Sequence, residues 1–239
     1  MLYTMTPFEA HSDDGFGAVG DAFRQAAVMV RNQSGGSILL LHLPEIYLLR
    51  HAIELFLKSG IILIHRRLKL PYRGEPHTTK KPMLLNSAGK WAPLFATHDL
   101  SILYGYWKRL IENYKDKLVE LSENKPDITV PAELDGWIEK VGLIDPNSDY
   151  FRYPVSKNTN ADKEKSAFKE MALETLVDKD FGKNEYVKLM LVQMPPGEAA
   201  RAFKYDSSTA SEEADAARQA ADILSNFHVM MRVELFAGW

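Results

Sequence analysis

The chain has 239 residues, of which 46% are hydrophobic and 26% charged, and its formal net charge is −3. That length suits one large domain or two small ones with a substantial core, and the slight negative charge argues against a general binder of nucleic acid or anionic membrane while leaving a local basic patch open. There is no cysteine, which excludes disulfides, thiolate metal sites and a cysteine nucleophile and suits a cytoplasmic protein.

The first residues, MLYTMTPFEAHSDDGF, lack a basic segment followed by an apolar one, so no signal peptide is expected. No run approaches the ~18 uninterrupted apolar residues of a membrane span. Asp14 is placed to cap a helix over 16–32, in which Val19, Ala22, Phe23, Ala26, Ala27 and Val30 recur at helical spacing. Inside it, Gly15, Gly17 and Gly20 form a G-x-G-x-x-G. A dinucleotide fingerprint needs a strand before the glycines and an acid about 20 residues later. Neither is present, and the stretch reads as a Gly-rich start to a helix. Gln33 to Ser37 stops that helix.

Residues 43–67, LPEIYLLRHAIELFLKSGIILIHRR, form the stretch around which the chain is organised. It is apolar on nearly every side, as a helix in the middle of a bundle is. Pro44 and Glu45 suit its first turn, and Gly60 is a point of weakness or bending. A basic segment follows, with Arg66, Arg67, Lys69, Arg73, Lys80 and Lys81 against a single Glu, with Pro71, Gly74 and Pro76 between them and Pro82 after them. It reads as a phosphate-contacting loop or as a solvated linker.

Thr97 is a good N-cap for a helix running to Leu121, with Asp99 favourable at its positive end. A short helix over 132–141 follows, then a turn-rich loop over 145–154. Residues 155–165 are polar. Over 166–194 the pattern fits a helix or strand followed by a strand. Thr209-Ala210-Ser211-Glu212 reads as a capping box for a last helix to Phe236, which Gly238 ends. The fold class expected is therefore all-α in the main, an up-and-down bundle with a small β element near 180–194. One domain spans 1–239, and 155–208 forms an insertion or irregular subregion.

Arg50, Glu54 and Lys58 are spaced i, i+4, i+8 and so stack on one face of the apolar helix, with His51 beside them. Charges in such a place must pair or line a wet groove. The line is read either as mutual pairing along the helix or as a network with His51, His98 and Arg152 at a groove between helices. His11 and Asp13 are too few to make a metal site, and no metal or cofactor is expected.

Leu49 to Lys58 (LRHAIELFLK), Thr97-His98-Asp99-Leu100 and Ser148 to Pro154 (SDYFRYP) occur in that order. Together they resemble bacterial members of the HEPN superfamily, the helical domains named from higher eukaryotes and prokaryotes nucleotide-binding. The resemblance covers 43–154 and implies a helical bundle, often a homodimer. The superfamily includes metal-independent RNases of toxin–antitoxin, CRISPR and phage-defence systems, and non-catalytic members that bind RNA or nucleotide. Its nucleases carry an Arg followed by a His after four to six intervening residues. Here Arg73 and His77 have three residues between them and Arg218 and His228 have nine, so neither pair fits.

RNA cleavage without a metal needs a base for the 2′-hydroxyl and a cation for the phosphorane charge. The candidate base is His51 or His98 and the candidate cation Arg50 or Arg152. Lys58, Arg66, Arg67 and Arg73 are the candidate contacts for RNA or nucleotide. Glu54, Asp99 and Tyr153 are expected to form a structural polar network. The alternative is a catalytically inactive helical interaction or regulatory module with a partner protein. A basic face joining the 66–81 loop to Arg50 and Arg152 favours the first reading; a buried, fully paired Arg50–Glu54–Lys58 line with no cleft favours the second.

Overall fold

The long apolar stretch forms one helix, and that helix is the centre of the molecule. A computed structural model describes residues 3–32, 42–145, 150–151, 153, 162, 164–172, 189–192, 200–206 and 208–238. Among these are the helices α1 (Phe16–Asn32), α2 (His42–Leu68), α3 (Leu100–Leu121), α4 (Glu133–Ile144) and α5 (Ser211–Phe236). Strands β1 (Met83–Leu85) and β2 (Trp91–Pro93) form an antiparallel hairpin. Strands β3 (Phe168–Met171), β4 (Leu189–Val192) and β5 (Arg201–Tyr205) form an antiparallel sheet with β5 in the middle. The protein is mainly helical with a small β component, and no helix among the described residues is long and apolar enough to cross a membrane.

Every residue of α2 from Ala52 to His65 is buried. A helix apolar all round needs cover on all sides, and three neighbours supply it. α1 lies antiparallel, with Phe23 edge-on to His51 and Gly20 against Leu55 and Phe56. α5 runs in the same sense as α2, placing Arg218 beside Glu45 (3.0 Å) and His228 beside Ser59 (3.0 Å). Its buried alanines Ala216, Ala217, Ala220 and Ala221 let it sit close. α3 also runs in the same sense as α2, from His98 at Glu54 (2.9 Å) to Leu121, whose carbonyl accepts from Arg67 (3.0 Å). The α2–α3 step is thus a long crossover through 69–99, with the β1–β2 hairpin inside it. α4 turns back along α3, where Asp135 meets Tyr104 (2.6 Å) and Gly142 lies against Leu100.

Gly60 is a spacer. A Cβ there would lie 2.5 Å from Nε1 of the buried Trp107, so only glycine lets the α3 indole reach α2.

The helix ends differ from the expected ones. Asp99 itself caps α3, accepting from the Ser101 (2.8 Å) and Ile102 (3.3 Å) amides, while the Thr97 hydroxyl goes to the Pro93 carbonyl. At α1 the amide acceptor is Asp13, bonded to Gly17 N (2.7 Å), and Asp14 sits at φ +56° with its carboxylate elsewhere. No capping box forms at α5, because Ala210 stands at the N-cap with φ +56° and makes no side-chain cap bond. At the other end Ala237 is left-handed, and the amides of Ala237 and Gly238 both reach the Arg232 carbonyl. The 168–171 stretch, read as helix or strand, is a strand, and β5 at 201–205 was not expected. Of the β element expected at 180–194, residues 189–192 are a strand and the others lie outside the described residues.

Candidate functional site

The polar line of α2 is buried and paired. Arg50, Glu54 and Lys58 are 0%, 1% and 2% exposed, so their charges are out of reach of solvent. Glu54 Oε2 lies 3.3 Å from Arg50 Nη1, and Glu54 Oε1 takes Lys58 Nζ at 2.8 Å. Arg50 Nε reaches the backbone carbonyl (3.1 Å) and carboxylate (3.2 Å) of Asp145 at the end of α4. Burial pushes the Glu54 carboxyl up, but Lys58 and His98 outweigh it and hold it below the usual carboxylate range.

The same three side chains grip the segment that leads into α3. Arg50 Nη2 donates to the His98 carbonyl (2.8 Å), Lys58 Nζ donates to the Phe95 carbonyl (3.3 Å), and Glu54 Oε1 takes His98 Nδ1 (2.9 Å). The His98 side chain is 54% exposed. A carboxylate acts only as acceptor, so Nδ1 carries the proton and Nε2 is left as the basic nitrogen. This buried-carboxylate, exposed-imidazole pair is the arrangement of an oriented general base.

The other residues named from the sequence are scattered. His51 packs its ring against Phe23 of α1 and Tyr47. Asp99 is the α3 cap beside His98. Tyr153 is exposed and gives its carbonyl to Lys165 (2.9 Å), apart from the Arg50 network. Arg152, with Ser148, Asp149 and Pro154 of its motif, lies outside the described residues. Lys58 is committed to Glu54 and offers no surface to a phosphate.

The basic segment is ordered. Tyr72 is buried and stacks on His65 with ring centroids 3.9 Å apart. Tyr72 and Glu75 exchange both backbone bonds (2.8 and 2.6 Å), with Arg73 and Gly74 between them at φ +39° and +85°. This is a two-residue reversal with both central residues left-handed. His65 donates Nδ1–H to the Leu70 carbonyl (3.0 Å) and accepts the Tyr106 hydroxyl at Nε2 (2.9 Å). Burial pushes its pKa down to about 4. Arg66 is held by Asp14 (2.7 Å) and the Ser12 carbonyl (2.7 Å), and Arg67 by the Leu121 carbonyl. Lys69, Arg73, Lys80 and Lys81 stay at the surface, and the last three line a cleft of about 540 Å³ with Glu75, Thr79 and Met83. Lys80 also touches Asp14 (2.9 Å), and Pro82 pairs with Leu94 (3.0 Å), which links this end of the chain to the Phe95–His98 segment. Lys80 and Lys81 were visible as part of a basic run, but nothing in the run separated them from Arg66 and Arg67.

A second buried network was missed. Ser59 Oγ donates to Asp13 Oδ2 (2.6 Å) and lies 3.0 Å from His228 Nδ1, and Tyr3 OH lies 3.3 Å from His228 Nε2. Because Ser59 gives its proton to the carboxylate, it accepts from His228 Nδ1–H, and no free nucleophile results. The His228 ring fills the space beside Gly17, where a Cβ would overlap it. The G-x-G-x-x-G stretch is thus a packing device. Gly17 meets His228 and Gly20 meets Phe56. Asp13 and His11 are buried in this region, and no group of metal-ligating side chains occurs among the described residues.

Comparison with protein-family models, with curated proteins and with solved structures returns no match.

Proposed function

We propose that the chain is a HEPN-like helical protein that binds a phosphate-bearing ligand, RNA or nucleotide, at the basic end of α2. The observation that carries this reading is the cleft of Arg73, Lys80 and Lys81, built on a turn pinned by Tyr72. Three cations on an ordered rim suit successive phosphate oxygens. The test is fluorescence anisotropy with labelled single-stranded RNA and with a labelled ATP analogue. Lys80→Ala/Lys81→Ala is expected to weaken binding and to lower the salt slope by about one to two. Binding that the double variant leaves unchanged would overturn the assignment.

The His98–Glu54 pair favours a second reading, metal-independent RNA cleavage with His98 as base. Arg50 is spent on the Asp145 and His98 carbonyls, so its part here is to position His98 and not to meet a phosphorane. Total RNA is incubated with the protein, with and without EDTA, beside His98→Ala. EDTA-insensitive cleavage lost in that variant supports this reading, and an inert wild type ends it.

A further inference from the structure

We propose that an apolar groove across α3, α4 and the start of α5 docks a basic, amphipathic peptide segment of a partner protein. Two clefts meet at Leu143, which is 74% exposed. One, of about 470 Å³, lies between α3 and α4 with Tyr104 and Ile138 in its wall. The other, of about 460 Å³, lies between α4, the Tyr150–Phe151 turn and the first residues of α5, with Ile144 in its wall. Leu143 thus lies exposed between two concave surfaces, the first mainly apolar and the second mixed polar and apolar, and it gains by being covered.

Charge selects the occupant. The first cleft is rimmed by Asp99, Asp135 and Glu139, with Asp135 already paired to Lys108 (2.7 Å) and Asp99 capping α3, so this rim keeps a net negative charge. The second is rimmed by Glu164, Asp206 and Glu213 against Lys169 alone, whose ammonium is 2.7 Å from Glu164. Nucleic acid and anionic lipid are repelled by such a rim. A segment bearing Lys or Arg beside apolar residues fits both parts: aliphatic stems lie along Leu143, Ile144 and Tyr150, and the cationic heads reach the carboxylates. With apolar anchors one helical turn apart, the segment lays one face into both clefts. The groove sits at the Arg50 end of α2, since Asp145 closes α4 onto Arg50. The basic cleft lies near Arg66, since Arg66 and the cleft's Lys80 share Asp14, and Arg66 is about 24 Å further along the helix at 1.5 Å per residue. The two surfaces are therefore separate.

The probe is a short fluorescein-labelled helical peptide of leucine and lysine with leucines at i, i+3 and i+4, beside the same peptide with glutamate for lysine. Anisotropy is measured with the full chain, with Leu143→Asp, with Glu139→Gln/Glu213→Gln, and with Asp116→Asn/Glu120→Gln, which removes the same charge from the exposed C-terminal half of α3. Circular dichroism checks that each is folded. The lysine peptide is expected to bind, about tenfold more weakly to the two groove variants and unchanged to the α3 control, and the glutamate peptide is expected not to bind. No binding by the wild type overturns the proposal, as does equal loss in the α3 control. Concentration-dependent self-association that both Leu143→Asp and Lys81→Glu abolish assigns the groove to a second copy and also overturns it.

Discussion

At the scale of single residues, Glu54 is the carboxylate on which two buried cations and the exposed imidazole of His98 converge. Removing one partner of such a set leaves charge stranded in a dry place. Glu54→Gln is expected to destabilise the fold by about 3–5 kcal/mol in urea unfolding, whereas His98→Ala, at the solvent edge, changes stability by less than about 1 kcal/mol. Because the folded Glu54 pKa lies below its ordinary value, its contribution is present at neutral pH and is lost as pH falls through the folded value. His65 titrates in a higher window. It is neutral in the fold with a pKa of about 4, while the unfolded chain takes up a proton near 6.5. Stability is therefore full above pH 6.5 and declines on acidification towards 4, by roughly 3 kcal/mol from this group. His228, whose pKa burial also lowers, adds a term of the same sign. Urea midpoints across that range check this: His65→Gln is expected to be less stable at pH 7 and to show a shallower decline.

At the scale of elements, close approach governs two of the helix contacts. Gly60→Ala improves helix propensity by about 1 kcal/mol but drives a methyl into the Trp107 indole, so a net loss of about 1–3 kcal/mol is expected in thermal or urea unfolding. The Tyr72–Glu75 turn offers the opposite case. Arg73 occupies a left-handed position that asparagine tolerates better. Arg73→Asn is expected to leave stability unchanged or raised by up to about 1 kcal/mol while weakening RNA or nucleotide binding. A fall in both would mean that the arginine's part is structural.

At the scale of the whole molecule, a basic cleft and an acidic, apolar-floored groove lie towards opposite ends of α2. Sites this far apart with no shared partner act independently. Lys81→Glu and Leu143→Asp are expected to affect phosphate and peptide binding separately, and the double variant to show the product of the two effects. Titrations with both probes check this.

The helices and their order were legible in the sequence because burial imposes a period on apolar residues. The i, i+4 line of Arg50, Glu54 and Lys58 was legible for the same reason, and so was its need for partners. The identity of those partners was not: Asp145 and the Phe95 and His98 carbonyls come from segments far along the chain, and only packing brings them to α2. The caps illustrate the same limit. Thr97 and Asp99 are both good capping types, and the backbone path decided for Asp99. Which cations of the basic run stay at the surface was also a tertiary outcome, since Arg66 and Arg67 are taken by carbonyls and a carboxylate of other segments while Lys69, Arg73, Lys80 and Lys81 are left exposed. Sequence alone determined which residues must be buried and which charges needed compensation, because those follow from local spacing and solvation. Tertiary structure decided what compensates them and what remains exposed, because a buried charge takes whichever oppositely charged or polar group the packing of other segments places within about 3 Å.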